Sequence, residues 1–180
     1  MQTRAKVLTI ATAAITAVAC GSDNSTQPVS KIVTFSADLT PAGELGATLK
    51  GSPTGTGKFT GTLDTSTHQF TYSVTFSGLT SNVNNGHIHG PFVLGGTATS
   101  AGVVLNFNPG IVPGVTFDGL NTAPNGSASG TLTLSAANTF GNSAVHGDSI
   151  EKLLLAGATY VNIHTTNNPG GEIRAQILKQ

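Results

Sequence analysis

The chain has 180 residues, and eight Lys and Arg balance eight Asp and Glu, so its formal net charge is zero. That length suits one domain rather than two. Charged side chains are only 9% of the chain, against about 25% in a typical soluble domain. This excludes the dense basic patch of a nucleic-acid binder and the composition of a charge-driven disordered chain. Hydrophobic residues reach 38%. Thr, Gly, Ser and Asn fill much of the remainder, and β-branched Thr with turn-forming Gly, Asn and Ser points to an all-β chain.

The first twenty residues read as an address. Arg4 and Lys6 supply a positive start, and residues 7–19 carry no charge and are rich in Ala, Ile, Val and Thr. That run is shorter than the roughly 20 residues a spanning helix needs. Ala17-Val18-Ala19-Cys20 resembles a bacterial lipobox, in which the Cys is lipidated and becomes the mature N-terminus. The other reading is an ordinary secretory signal cut after Ala19, with Cys20 unused. The lipobox reading divides the chain into a signal peptide (1–19), a flexible polar tether (20–30) carrying Pro28, and a domain (31–180).

Cys20 is the sole cysteine, so a lipid there leaves the domain with no thiol or disulfide. Removal of the leader leaves six basic against eight acidic side chains. The lipid, not charge, would then hold the protein to its membrane partner. The expected location is exported and membrane-anchored, periplasmic or at the cell surface. Gly21 rather than Asp after the Cys removes one inner-membrane retention signal and favours the outer membrane in a Gram-negative cell.

Downstream, short alternating runs recur between turn residues. Val33, Phe35, Ala37 and Leu39 share one strand face, closed by Pro41 and Gly43. Phe59, Gly61 and Leu63 alternate with threonines in a second strand, and Phe70, Tyr72, Val74 and Phe76 in a third. Residues 64–68 join these two as a hairpin loop. Val103, Leu105 and Phe107 mark another strand, as do Leu132 with Leu134, Val161 with Ile163, and Ile173, Ala175 and Ile177. Residues 148–157 read as one short helix, with Asp148 as N-cap, Glu151 completing a capping box and Gly157 at the end. The expected fold is an all-β antiparallel sandwich or barrel with one short helix. Residues 81–86 and 109–126 are expected to be its long loops, where binding usually sits. Gly61-Thr-Leu63 recurs as Gly130-Thr-Leu132, too little for a duplication.

No Gly-x-Ser-x-Gly elbow, Walker loop or His-Glu-x-x-His is present. Gly55-x-Gly57 leads into a strand, so a nucleotide-binding reading fails. The chemistry left is that of histidine, of which there are five. His87 and His89, in Gly86-His-Ile-His-Gly-Pro91, stand two apart and project to one face of a strand. His164 alternates with Val161 and Ile163 and also faces away from the core. If the two strands are neighbours, the three imidazoles could share a Cu or Zn ion. Equally, histidines beside Gly and Pro turns hydrogen-bond backbone groups and fix loops. His68 and His146 are expected to face solvent or cap. Glu172 and Arg174 share the outward face of the last strand and are expected to form an ion pair.

Five stretches resemble the CHRD (chordin) domain family: Phe35-Ser-Ala-Asp-Leu39, Gly57-x-Phe59-x-Gly61-Thr-Leu63-Asp64, Gly86-His-Ile-His-Gly-Pro91, Tyr160-Val-Asn-Ile-His164 and Asn168-Pro-Gly-Gly-Glu-Ile-Arg174-Ala-Gln-Ile177. The resemblance covers about residues 32–178. It implies an extracellular Ig-like β-sandwich module and no settled activity. A fainter likeness links the His87-x-His89 strand, Gly170-Gly171 and Arg174 to copper/zinc superoxide dismutases. The chain departs from that pattern: it has no cysteine pair, no His- and Asp-rich loop after His89, and Arg174 stands one residue further from its glycines. On a strand that slip reverses the face. The likeness therefore implies shared architecture with a metal site, not a dismutase.

The expected function is a non-enzymatic, lipid-tethered envelope module that binds a polymer or protein partner through its loops. The alternative is a Cu- or Zn-binding protein using His87, His89 and His164.

Overall fold

The computed structural model describes residues 31–142 and 144–180. The expected signal peptide, Cys20 and the expected tether fall on residues 1–30, outside the described residues. Among the described residues the chain forms strands β1 (Ile32–Leu39), β2 (Thr56–Asp64), β3 (Gln69–Ser77), β4 (Val83–His89), β5 (Val103–Asn106), β6 (Val115–Asp118) and β7 (Gly126–Thr133), then helix α1 (Gly147–Leu155), then β8 (Tyr160–Thr165), β9 (Ile173–Gln176) and β10 (Leu178–Lys179). The strands make two antiparallel sheets, one ordered β10-β1-β2-β3-β7-β6 and the other β5-β4-β8-β9.

Alternation explains the larger sheet. In β3 the residues Phe70, Tyr72, Val74 and Phe76 are buried, and the polar residues between them are exposed. The registers Phe59↔Val74 and Leu63↔Phe70 place large side chains opposite each other on the inner face. The repeated Gly-Thr-Leu finds its reason here. Gly61 and Gly130 both pair with Tyr72, and Leu63 and Leu132 both pair with Phe70. A Cβ at Gly130 would come within 3.0 Å of the Tyr72 ring, so glycine makes room for the phenol. Tyr72 then stacks on Phe107 at 5.0 Å between ring centroids. Each such buried side chain stabilises the fold by about 1.5–3 kcal/mol. From the smaller sheet, Ile88, Leu105, Val161, Ile163 and Ile173 complete the core, all with no exposed surface.

Several expectations need correction. Residues 81–86 are not a loop: β4 begins at Val83, because it pairs with β8 along its whole length, from Val83↔Thr165 to His89↔Tyr160. Residues 109–126 contain β6, which pairs with β7 through Val115↔Gly130 to Asp118↔Ser127. The helix starts one residue earlier than expected, and its N-cap is His146, with no side-chain cap bond. Asp148 instead bonds Lys152 one turn on, at 3.0 Å. Glu151 reaches the Nδ1 of His68 at 2.8 Å rather than the backbone. The helix is held by Ile150 and Leu154, both fully buried, and Gly157 follows it with φ +65°. His68 sits in the β2–β3 turn with φ +57°.

The two segments that matter for the site are the connection between β1 and β2, residues 40–55, and the connection between β4 and β5, residues 90–102. Both fold across the outer face of the smaller sheet. Thr40 bridges to Arg174, the Lys50 backbone exchanges hydrogen bonds with the Asn168 side chain, and the Ala101 backbone bonds His89 and Tyr160.

Candidate metal centre

The smaller sheet carries an apolar inner face and a polar outer face. In β4, Ile88 turns inward and His87 and His89 outward; in β8, Val161 and Ile163 turn inward and Tyr160, Asn162 and His164 outward. Cross-strand registers assemble the outward residues into rows. Asn106, His87, Asn162 and Arg174 stand side by side across the four strands. His89, Tyr160 and Gln176 form the next row, and His164 pairs with Asn85.

This juxtaposition of β4 and β8 brings the three histidines together. His87, His89 and His164 offer ring nitrogens that all lie within 4.8 Å of one another. Zn–N bonds of about 2.0–2.1 Å set tetrahedral ligand nitrogens at roughly 3.3 Å from each other, so the cluster is within side-chain adjustment of a metal-binding arrangement. The histidines face away from the hydrophobic core, as their alternation predicts, yet each is only 8% exposed. The two covering connections turn an outward face into a buried one.

Hydrogen bonds set the tautomers. The Nδ1 of His89 donates to the Ala101 carbonyl at 2.9 Å, and the Nδ1 of His164 donates to the Pro169 carbonyl at 3.0 Å. A neutral imidazole carries one proton, so the Nε2 of each is a bare lone pair. The Nε2 of His164 accepts from the Nδ1 of His87 at 3.1 Å. The Nε2 of His89 is buried and has no hydrogen-bond partner. A carbonyl on the far nitrogen is what fixes and polarises metal-ligating histidines.

Burial also keeps the three rings uncharged. It pushes the imidazole of His87 down to about 3, helped by His164 and His89. It pushes His89 down to about 4, against the Ala101 hydrogen bond and with help from His164 and Arg174. His164 is lowered by burial too, against the bond to Pro169. Neutral imidazole is the form that binds metals.

Glu172 and Arg174 do not pair. Glu172 precedes β9 and is fully buried. Its carboxylate accepts from the Thr80 backbone and hydroxyl, each at 2.6 Å, from the Thr165 hydroxyl at 2.6 Å and from the Asn168 amide at 2.9 Å. Burial alone would raise its pKa, but the bonds from Thr165, Thr80 and Asn168 hold it below the ordinary value. Arg174 belongs to the outer face: its guanidinium lies 3.4 Å from the centre of the Tyr160 ring and donates to the Thr99 carbonyl at 2.7 Å. The physical reason is the strand's pleat and start: Glu172 stands ahead of β9, in the turn from Asn168, where it does not share the face of Arg174.

Other residues enter the site unforeseen. Tyr160 stacks on His89 at 4.7 Å, and Asn162 lies beside His87; both share the parity of His164, so alternation carried that signal. Glu44, from the β1–β2 connection, had none. Burial pushes its carboxyl up to about 7, against the pull of Arg174 and an Asn162 hydrogen bond. His68 and His146 remain outside the cluster, the first on Glu151 and the second at the helix start.

A family profile described as the CHRD domain matches residues 35–177. A search of curated proteins and a search of solved structures found no match. The matched span runs from β1 through the end of β9 and includes all three clustered histidines. The chain therefore belongs to the CHRD domain family.

Proposed function

We propose that the domain is a binding module whose ligand is one Cu or Zn ion held by His87, His89 and His164. The observation that carries this reading is the bare, buried Nε2 of His89. A buried acceptor without a partner costs about 1–3 kcal/mol, and a cation shared with two neighbouring imidazoles removes that cost. The carbonyls behind His89 and His164 support it. Three protein ligands leave the fourth position of a tetrahedral ion for an exchangeable group. The lipobox at Cys20 supports an exported protein anchored by lipid to the cell envelope, and substitution Cys20→Ser releases it from the membrane fraction on this reading.

The test is metal content and affinity of the full chain near neutral pH, by elemental analysis and by Cu and Zn titration, against a His87→Ala, His89→Ala double variant. Near-stoichiometric metal, lost in a variant that keeps its circular-dichroism spectrum, is the expected result. No metal in the wild type, or undiminished metal in the variant, overturns it. A second reading, a protein or polymer partner at the loops, is favoured by the exposed Val93 and Leu94 in the β4–β5 connection. Substituting both with Ser and losing partner capture without losing metal would support it.

A further inference from the structure

The connection after β4 carries an apolar tip. Val93 is 70% exposed and Leu94 63%, more than any other large apolar side chain among the described residues. No charged residue stands between Gly90 and Gly102. Two residues before the pair, Pro91 lines an open groove of about 510 Å³ together with Val104, Leu153 and Ala156. Lys152 lines it too, and Asp148 pairs with that ammonium at 3.0 Å. Contiguous apolar surface of this kind, rimmed by polar residues, marks a contact face.

The occupant follows from where the chain enters the domain. The Thr65 N–H donates to the Lys31 carbonyl at 3.1 Å, which fixes the start of the domain at the β2–β3 turn. From the same turn His68 reaches Glu151 of α1. Leu153 of that helix walls the groove, and the Ala158 carbonyl beyond it accepts from the Phe92 N–H at 2.9 Å. Strand direction agrees. β1 runs away from this end, from Ile32 to the bridge between Thr40 and Arg174. Phe92 lies at the other end of β9, where the Gln176 amide donates to its carbonyl. The chain entry, the half-exposed Ile32, the groove and the apolar tip thus share one end of the sandwich. Cys20 stands eleven residues before Lys31. A coil of that length spans about 20 Å, less than the roughly 30 Å of a nine-residue strand such as β2. A lipid at Cys20 therefore keeps this end, rather than the far end at Thr56, against the bilayer.

We propose that Val93, Leu94 and the groove behind Pro91 form a membrane-contact surface that seats the domain on its bilayer. The proposal rests on the lipid anchor at Cys20 and is independent of the metal reading. The anchor holds the domain near the surface, and the apolar tip enters the boundary between headgroups and acyl chains and sets the orientation. A second contact of this kind adds to the hold of an acyl anchor. Charge contributes little, because the tip carries none and Lys152 is already paired.

The chain contains no Trp, so Leu94→Trp puts a single reporter on the tip. Thr56→Trp puts one on the exposed far end of β2. Each full-length variant is taken from the membrane fraction and reconstituted into vesicles of phosphatidylethanolamine and phosphatidylglycerol, with and without bromine on the acyl chains. The expected result is blue-shifted emission from Leu94→Trp, quenched at least twofold by brominated lipid, and no quenching of Thr56→Trp. Val93→Trp repeats the measurement if Leu94→Trp does not fold. Protein that floats with the vesicles but shows no quenching at the tip overturns the proposal alone and leaves the tip to a protein or polymer partner. Equal quenching at both ends overturns it as well. Protein that does not float with the vesicles retires the lipid anchor and the proposal together.

Discussion

The Nδ1 of His87 stands 3.1 Å from the Nε2 of His164, although 77 residues separate them in the chain. Neighbouring antiparallel strands, β4 and β8, make that contact. Removing His87 strips the lone pair of His164 of its donor inside a buried cluster. His87→Ala should therefore destabilise the metal-free protein by about 1–3 kcal/mol, besides weakening metal uptake. Urea unfolding in the presence of a chelator measures the first effect separately from the second.

Acid should destabilise the metal-free domain well above the range where carboxylates titrate. The ordinary histidine value is 6.5, and burial pushes His87 and His89 down to about 3 and about 4 in the fold. Between those limits the unfolded chain binds protons that the folded one refuses. Stability is thus full above about 6.5 and falls as pH drops toward 4, by about 1.4 kcal/mol per pH unit for each histidine well inside the window. Glu44 works the other way: raised from 4.5 to about 7, it binds its proton more readily in the fold, and its contribution is lost as pH rises through 7. One carboxyl opposes three histidines, so the net slope from pH 4.5 to 6.5 is positive. Urea midpoints across that range check the sign, and His89→Ala should flatten the slope.

Glu172 should prove indispensable without touching a ligand. Its carboxylate gathers four donors from Thr80, Thr165 and Asn168, and this pins the turn whose Pro169 carbonyl holds His164. Glu172→Ala strands the buried Thr165 hydroxyl and takes the acceptor from the half-buried Thr80 backbone N–H and hydroxyl, while the Asn168 amide keeps the Lys50 carbonyl, a loss of about 2–4 kcal/mol. Glu172→Gln keeps the shape and should lose less. Thermal unfolding orders the two, and metal affinity should fall with the mispositioning of His164.

Gly171 is fixed by its backbone. Its φ of +124° is a conformation that L side chains rarely adopt, and a Cβ there would strike the Glu44 carboxylate and the Asn162 amide. Gly171→Ala should therefore destabilise the domain by about 1–3 kcal/mol, read as a lowered midpoint in thermal unfolding.

Much of this architecture was legible in local pattern. The alternation Phe70-x-Tyr72-x-Val74-x-Phe76 placed β3 and its buried face, since a strand's side chains alternate with a period of two. The same rule put His87 and His89 on one side with Ile88 on the other, and set His164 opposite Val161 and Ile163. The segment of β6 was obscured because Val115-Thr-Phe-Asp118 is short and sits among Gly and Pro turns. The helix limits moved because Ile150 and Leu154 are fixed by the core, while Asp148 and Glu151 took side-chain partners instead of capping.

The chain's own residues determined the β class, the inward and outward sides of each strand, and the triad of imidazole-bearing positions, because pleat parity is a property of each strand alone. Only the tertiary structure decided that β4 and β8 are neighbours, that residues 40–55 and 90–102 close over their polar face, and that Glu172 and Arg174 go to different partners. Those outcomes depend on which distant segments bury each other's apolar surface and satisfy each other's backbone. Pairing at a sequence separation of 77 residues leaves no trace in local periodicity.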